Sequence, residues 1–385
     1  MPLPDYSGGS LVNLVASLIQ ARGGRARHAE LRLLPSAEIA AARNIVLLIV
    51  DGLGDGYLKR RGTGGELERR RRGALTSVFP STTASAITSS YTGCTPLEHG
   101  LTGWFTYFGA AGCVVAALPF RSRGDFLPLA RRGVEPKHIY RSAPLFAALP
   151  VRSIVVSQRD IIDSDYNLYH CRGAERRAYD DLAGLVGEIE AAVKSGNERK
   201  FIYGYWPLYD TVAHQHGSES EQAARQFAAI DESFGRLLAR LAGTDSLVVA
   251  TADHGFVDCP PGECLALEDG PGLAGMLRFP LCGERRIAYC HVQEGTVAEF
   301  MTRAAEWLDG RAQVRASGEL VAEGWFGPGA AHPQFRERVG DVALIMNGRF
   351  TIKDWTPGES RHLHVGNHGG TSEDEMTIPL VVAET

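Results

Sequence analysis

Asn44–Val50, NIVLLIV, runs straight into Asp51-Gly52-Leu53-Gly54. A near-continuous apolar run rich in β-branched residues is what a strand buried on both faces of a parallel sheet requires. In open α/β sheets reactive groups gather beyond the carboxyl ends of strands, so a lone Asp there, followed by glycines that permit tight backbone, is placed to hold a metal. Val151–Ser157 (VRSIVVS), Lys200–Trp206 (KFIYGYW) and Ser246–Ala252 are further apolar runs of strand length. Helical patterns lie around them at Ser10–Ala21, Arg177–Val193 and Glu221–Leu241, the first with Leu11, Leu14, Val15, Leu18 and Ile19 on one face. This alternation predicts an α/β fold: a doubly wound, mostly parallel sheet with helices on both faces, closed by Met376–Ala383.

A chain of 385 residues is long for one domain, and an insertion into a main domain is expected. The character changes from Phe256 to about Arg361: a loop-like stretch, a strand at Arg285–Gln293, a helix at Thr296–Leu308 and a strand at Asp341–Met346. Residues 256–361 are therefore read as a small α+β cap that governs substrate choice, inserted into a catalytic core of residues 1–255 and 362–385. Phe105–Phe120, between Trp104 and Arg121, alternates aromatic and aliphatic residues as strands on the substrate side would.

The chemistry is carried by VFPSTTASA, Val78–Ala86, together with Asp and His residues elsewhere. Ser81 or Thr82 can cap a helix that puts Thr83 in its first turn, where unpaired N–H groups and the helix dipole favour negative charge. Thr83 is read as a nucleophile. A threonine hydroxyl is weak at its own pKa and needs a base or a metal. Asp51, Asp210 and His214 (i, i+4 in YDTVAHQHG), Asp253 and His254 (TADHG) and His368 (GNHGG) supply a mixed carboxylate and imidazole set that suits zinc or another first-row divalent ion. The plain alternatives are a capped helix start and an Asp210–His214 salt link without chemistry. His216 is expected to point elsewhere, and His362 and His364 are not read as ligands.

Bulk properties narrow the class. Hydrophobic residues at 44% fit a globular protein, and a formal charge of −5 argues against a nucleic-acid polymer as partner. The basic runs Lys59–Gly62 and Arg69–Arg72 are read as a solvated loop, with attraction of anionic substrates as the sharper alternative. The N-terminus has no positive region before its short apolar run, and no later run reaches the length of a membrane span. Seven irregularly spaced cysteines (Cys94, Cys113, Cys171, Cys259, Cys264, Cys282 and Cys290) suit reduced thiols better than a disulfide framework or a loose zinc site. A cytoplasmic location without a membrane partner is expected.

Four ordered motifs, VDGLG, FPSTTA with the later TGCTPLEHG, YDTVAHQHG with TADHG, and NHGG, resemble those of the type I phosphodiesterase and nucleotide pyrophosphatase branch of the alkaline phosphatase superfamily. The resemblance covers Asn44–Gly255 and Asn367–Pro379, and implies a hydrolase acting on small phosphate esters of nucleotide type. It implies two zinc ions about 4 Å apart, one on Asp210, His214 and His368, the other on Asp51, Thr83, Asp253 and His254. It also implies that Thr83, with Thr82 as the alternative, attacks phosphorus to give a phosphothreonine intermediate. Where phosphodiesterase members carry an Asn that contacts the phosphoryl oxygens, this chain has Trp104, whose indole suits stacking on a base or an aryl leaving group. That departure leaves a phosphomonoesterase, a phosphomutase or a phosphonoacetate-type hydrolase as rival enzymes on the same site, and a zinc-bound binding protein as the non-enzymatic rival. A sulfatase is disfavoured because Cys94–Glu98 has Glu where the sulfatase motif has Arg.

Overall fold

The computed structural model describes residues 3–385. Seven strands form the main sheet in the order Arg71–Thr76, Thr377–Glu384, Ser246–Thr251, Asn44–Val50, Lys200–Trp206, Arg152–Gln158, Ala174–Tyr179. Asn44–Val50 pairs in parallel with both Lys200–Trp206 and Ser246–Thr251, and all seven of its residues are buried, as its composition requires. Thr377–Glu384 alone runs opposite to its neighbours. Its beginning therefore lies at the same sheet edge as the carboxyl ends of the parallel strands.

Helices cover both faces. Leu182–Lys194 and Glu221–Leu241 pack over the side that carries Leu48, Val50 and Trp206. Side chains alternate along a strand, so Tyr203 faces the other side, where its hydroxyl meets Ser90 at 2.7 Å and its ring lies 4.7 Å from Tyr91. Both partners belong to the helix Thr83–Thr92, on which Leu11–Ala21 packs in turn.

Two local expectations are corrected. The helical pattern from Arg177 begins instead as an edge strand, Ala174–Tyr179, and the helix starts only after Asp181, whose side chain caps the Gly184 N–H at 2.7 Å. The basic segment 59–73 is no solvated loop. It forms the helices Asp55–Arg61 and Glu66–Arg69 and the start of a strand, and its arginines are paired: Arg60 and Arg61 with Glu219, Arg69 and Arg70 with Glu66, Arg71 with Asp55, Arg72 with Glu38. Charge so neutralised is a weak lure for anions.

A second, antiparallel sheet has the order Ala312–Ala316, Val342–Met346, Ile287–Cys290, Cys282–Gly283, Phe105–Phe108, Cys113–Ala116, Arg121–Ser122. Gly283 pairs with Phe105, so strands from 105–122 complete a sheet otherwise drawn from 282–346, and a boundary at residue 256 does not divide the two sheets. Phe105–Phe108 alternates in burial and Ile287–Cys290 and Val342–Met346 are buried throughout, but only the long-range pairing tells which sheet each joins.

The second sheet is tied to the first by a buried ion pair. Arg286, just before Ile287–Cys290, forms a two-pronged contact with Glu375 at 3.0 and 2.9 Å, the two side chains being 1% and 0% exposed. Glu375 also accepts from the Gly370 N–H (2.8 Å) and the Ser372 hydroxyl (2.6 Å), and so shapes the loop that follows His368. Removing one partner of such a pair leaves a buried, uncompensated charge, so Glu375→Ala is expected to lower unfolding free energy by about 3–5 kcal/mol. Urea unfolding checks this; a loss below about 1 kcal/mol would show that the pair is not a structural tie.

Candidate active site

The seven residues read as nucleophile or metal ligands all reach one edge of the main sheet. Asp51 follows Val50, Asp253 and His254 follow Thr251, Asp210 and His214 lie on the helix Leu208–His216 after Trp206, and Thr83 begins a helix beyond Thr76. His368 arrives from the other direction, ahead of the antiparallel strand Thr377–Glu384. Thr82 is the backbone N-cap, with extended φ and ψ, and Thr83 is the first helical residue, 9% exposed.

Asp51 and Asp253 are each satisfied at one oxygen and not at the other. Asp51 Oδ2 accepts from the Tyr205 hydroxyl, and Asp253 Oδ1 from the N–H groups of Gly52 (3.0 Å) and His254 (3.1 Å). Asp51 Oδ1, Asp253 Oδ2 and Asp210 Oδ1 are buried without a hydrogen-bond partner. These three oxygens face imidazole nitrogens. His254 Nε2 lies 3.4 Å from Asp51 Oδ1, 3.5 Å from Asp253 Oδ2 and 3.1 Å from Thr83 Oγ1. Asp210 Oδ1 lies 3.3 Å from His214 Nε2 and 3.7 Å from His368 Nε2, while those two nitrogens are 3.2 Å apart. The two groups adjoin, His254 Nε2 being 3.9 Å from Asp210 Oδ1.

The donor set fits metal ions on this geometry. His214 Nδ1 is 2.8 Å from the Gly366 carbonyl and His254 Nδ1 is 3.1 Å from that of Gly255. Donation from Nδ1–H to a carbonyl leaves Nε2 as the bare lone pair, the arrangement of metal-ligating histidines. Two sets of ligand atoms lie within 4.8 Å of one another: Asp210, His254 and His368, and Asp51, Asp253 and His254. Burial, with help from neighbouring carboxylates, pushes the Asp51 and Asp210 carboxyls well above their usual range, and burial pulls His214 down to about 3 and His368 well below its usual value. Crowded carboxylates that need a cation beside imidazoles held neutral are matched to a divalent metal.

A cavity of about 370 Å³ opens over Thr83, Asp210, His214 and His368. Trp104, 37% exposed, and Phe105 stand on its wall. Sequence reading missed Glu284, Arg285 and Lys353, which also line it. Glu284 Oε1 accepts from the Thr82 hydroxyl (2.6 Å) and the Trp104 N–H (2.7 Å), and burial raises its carboxyl to about 7. No pattern links position 284 to 82; only the pairing of Gly283 with Phe105 brings them together. His364 lines the cavity too, its ring 4.3 Å from His214, whereas His216 is exposed. The seven cysteines are unpaired, and no metal-ligand cluster among the described residues includes one.

A model of the type I phosphodiesterase / nucleotide pyrophosphatase family matches residues 45–117 and 133–371, most of the chain and the whole site. The chain belongs to this family of hydrolytic enzymes. Among solved structures, murine ectonucleotide pyrophosphatase/phosphodiesterase 5 superposes with a TM-score of 0.67 at 16% identity, over 87% of each chain. An inactive form of that murine protein has been solved in complex with AMP. Phosphonoacetate hydrolase from Sinorhizobium meliloti, in complex with phosphonoformate, superposes at 0.64 and 18% identity over 89% of this chain and 90% of its own. The alkaline phosphatase PhoD of Zymomonas mobilis is 24% identical over 244 residues, which span 54% of this chain and 41% of that relative. The two structural likenesses agree with the mostly parallel α/β fold.

Removal of bound divalent metal with EDTA is expected to lower Tm, because the three carboxylate oxygens would return to unpaired burial. Zinc at about a thousand times its Kd should restore about 4 kcal/mol. Scanning calorimetry before and after chelation, then with zinc returned, measures both steps; a Tm indifferent to both would mean that the cluster holds no metal.

Proposed function

We propose that this enzyme hydrolyses phosphodiester or pyrophosphate bonds in small, nucleotide-type substrates through a phosphothreonine intermediate on Thr83. The observation that carries the reading is the place of Thr83 Oγ1: at the start of a helix, 3.1 Å from His254 Nε2, and on the wall of a cavity that is also lined by Asp210, His214 and His368. Two divalent ions, zinc suiting the mixed donor set best, held by Asp210, His214 and His368 and by Asp51, Thr83, Asp253 and His254, would lower the pKa of the threonine hydroxyl and offset charge on the leaving oxygen.

The remaining steps belong to the chain. Thr83 Oγ1 loses its proton and attacks phosphorus in line, the bond to the leaving oxygen breaks, and the phosphoryl group rests on threonine. The first turn of Thr83–Thr92 directs unpaired N–H groups and the positive end of its dipole toward the phosphoryl oxygens. Water then attacks phosphorus from the vacated side, releasing the second product and restoring the hydroxyl. Trp104 and Phe105 offer flat apolar surface for a base or an aryl group. Residues 256–361 act as the substrate-specificity region over the core of 1–255 and 362–385, joined by the strands from 105–122. Seven free thiols, five of them buried, support the reducing cytoplasm as its compartment.

Metal-loaded protein is expected to turn over bis-p-nitrophenyl phosphate in preference to p-nitrophenyl phosphate, and to lose this activity on chelation. Thr83→Ala should lower kcat by at least about a thousandfold while metal content, read by atomic absorption, stays at the wild-type level. Full activity in that variant would refute the covalent route; preference for the monoester would point to a phosphatase or mutase.

A further inference from the structure

The cavity beside Thr83 holds two cations without an ion-pair partner among the described residues. Three positively charged side chains line it: Arg123, Arg285 and Lys353. Arg123 is committed, bonding Asp354 and Glu359 at 2.8 Å each and the Leu281 carbonyl at 2.6 Å. Arg285 donates only to the His362 carbonyl, at 3.2 Å, and Lys353 stands 5.7 Å from the centre of the Trp355 ring. Neither forms an ion pair with any described residue, although both are half-buried. Glu284, the acidic neighbour of Arg285, is directed to Thr82 and Trp104 instead.

The two positions are locked side by side. The Ile352 N–H donates to the Arg285 carbonyl at 2.8 Å, joining the strand Thr351–Lys353 to the segment that leads into Ile287–Cys290. Burial lowers the pKa of both groups, and the charge of Arg285 depresses Lys353 further. Glu284 and Glu359 offset part of this for Arg285, and Glu359 and Asp354 for Lys353, but none forms an ion pair with either cation. Like charges drawn together out of water without a bonded counter-ion are costly, and an incoming anion relieves that cost.

We propose that Arg285 and Lys353 form a subsite for a second anionic group of the substrate, a phosphate or a carboxylate, carried beyond the phosphoryl group that Thr83 attacks. The inference rests on the reading of Thr83 as the nucleophile. The planar fork of Arg285 takes two oxygens at once, and the ammonium of Lys353 adapts to a third. A diester with two neutral substituents leaves both cations unpaired. A nucleotide with a further phosphate, or a phosphonocarboxylate, pairs them.

The test is calorimetric titration of the metal-loaded full chain with three probes that share a phosphonyl end: methylphosphonate, phosphonoacetate and methylenediphosphonate. At least one of the two probes with a second anion is expected to bind about tenfold or more tighter than methylphosphonate, and the Arg285→Met/Lys353→Met double variant to reduce that preference to about threefold or less. Preference for methylenediphosphonate alone names the second group a phosphate, and for phosphonoacetate alone a carboxylate. If the double variant loses its near-ultraviolet circular dichroism, the single Lys353→Met variant reads the same preference. Equal binding of all three probes by the wild type, or a preference that survives the substitutions, overturns the subsite. Turnover of bis-p-nitrophenyl phosphate is followed alongside: preference without turnover keeps the subsite and removes the hydrolytic reading, and turnover without preference does the reverse.

Discussion

Three buried carboxylate oxygens without donors, on Asp51, Asp210 and Asp253, set the condition that the rest of this structure meets. Inside a protein such oxygens repel one another and resist ionisation, and the site is tolerable only where cations or metal ions can enter. The fold concentrates them deliberately. Ser246–Thr251, Asn44–Val50 and Lys200–Trp206 are adjacent, parallel and in the middle of the sheet. Strands about 4.8 Å apart deliver their following residues within reach of common ions. Tyr205 holds the other oxygen of Asp51, and the Gly52 and His254 N–H groups hold that of Asp253, so the free oxygens of these two are aimed inward.

The antiparallel strand Thr377–Glu384 does a separate job. A parallel strand would bring its carboxyl end to this edge, but an antiparallel one brings its beginning, and with it the loop carrying His368. That loop is tied to the second sheet through Glu375 and Arg286. A second tie, from Glu284 to the Thr82 hydroxyl and the Trp104 N–H, joins the same sheet to the helix start at Thr83. The region that lines the cavity is thus bonded directly to the segments that carry Thr83 and His368. Specificity and catalysis share a frame.

The arginine run illustrates how local reading fails. Four consecutive arginines look like a basic patch because composition reports charge without partners. In the fold, Arg71 meets Asp55 and Arg72 meets Glu38, acids 16 and 34 residues away in sequence. The cations without an ion pair on the cavity wall, Arg285 and Lys353, lie 68 positions apart and belong to no charge run that local composition would mark. Arg177–Tyr179 escapes local reading for a related reason: a short edge strand carries no more apolar pattern than a helix start, and its pairing with Arg152–Gln158 decides its state.

The sequence by itself determined the parallel core, because a strand buried on both faces must be apolar along its length, and NIVLLIV can be little else. It determined the seven candidate metal-site residues as well, since each sits beside such a run or in a short motif where type and spacing are local. Tertiary structure alone decided that the strands from 105–122 join the second sheet, that the arginine run is neutralised, and that Glu284, Arg285 and Lys353 face Thr83. Those outcomes depend on hydrogen bonds and charge pairs between residues far apart in the chain, and nothing in a local pattern records which distant partner will arrive.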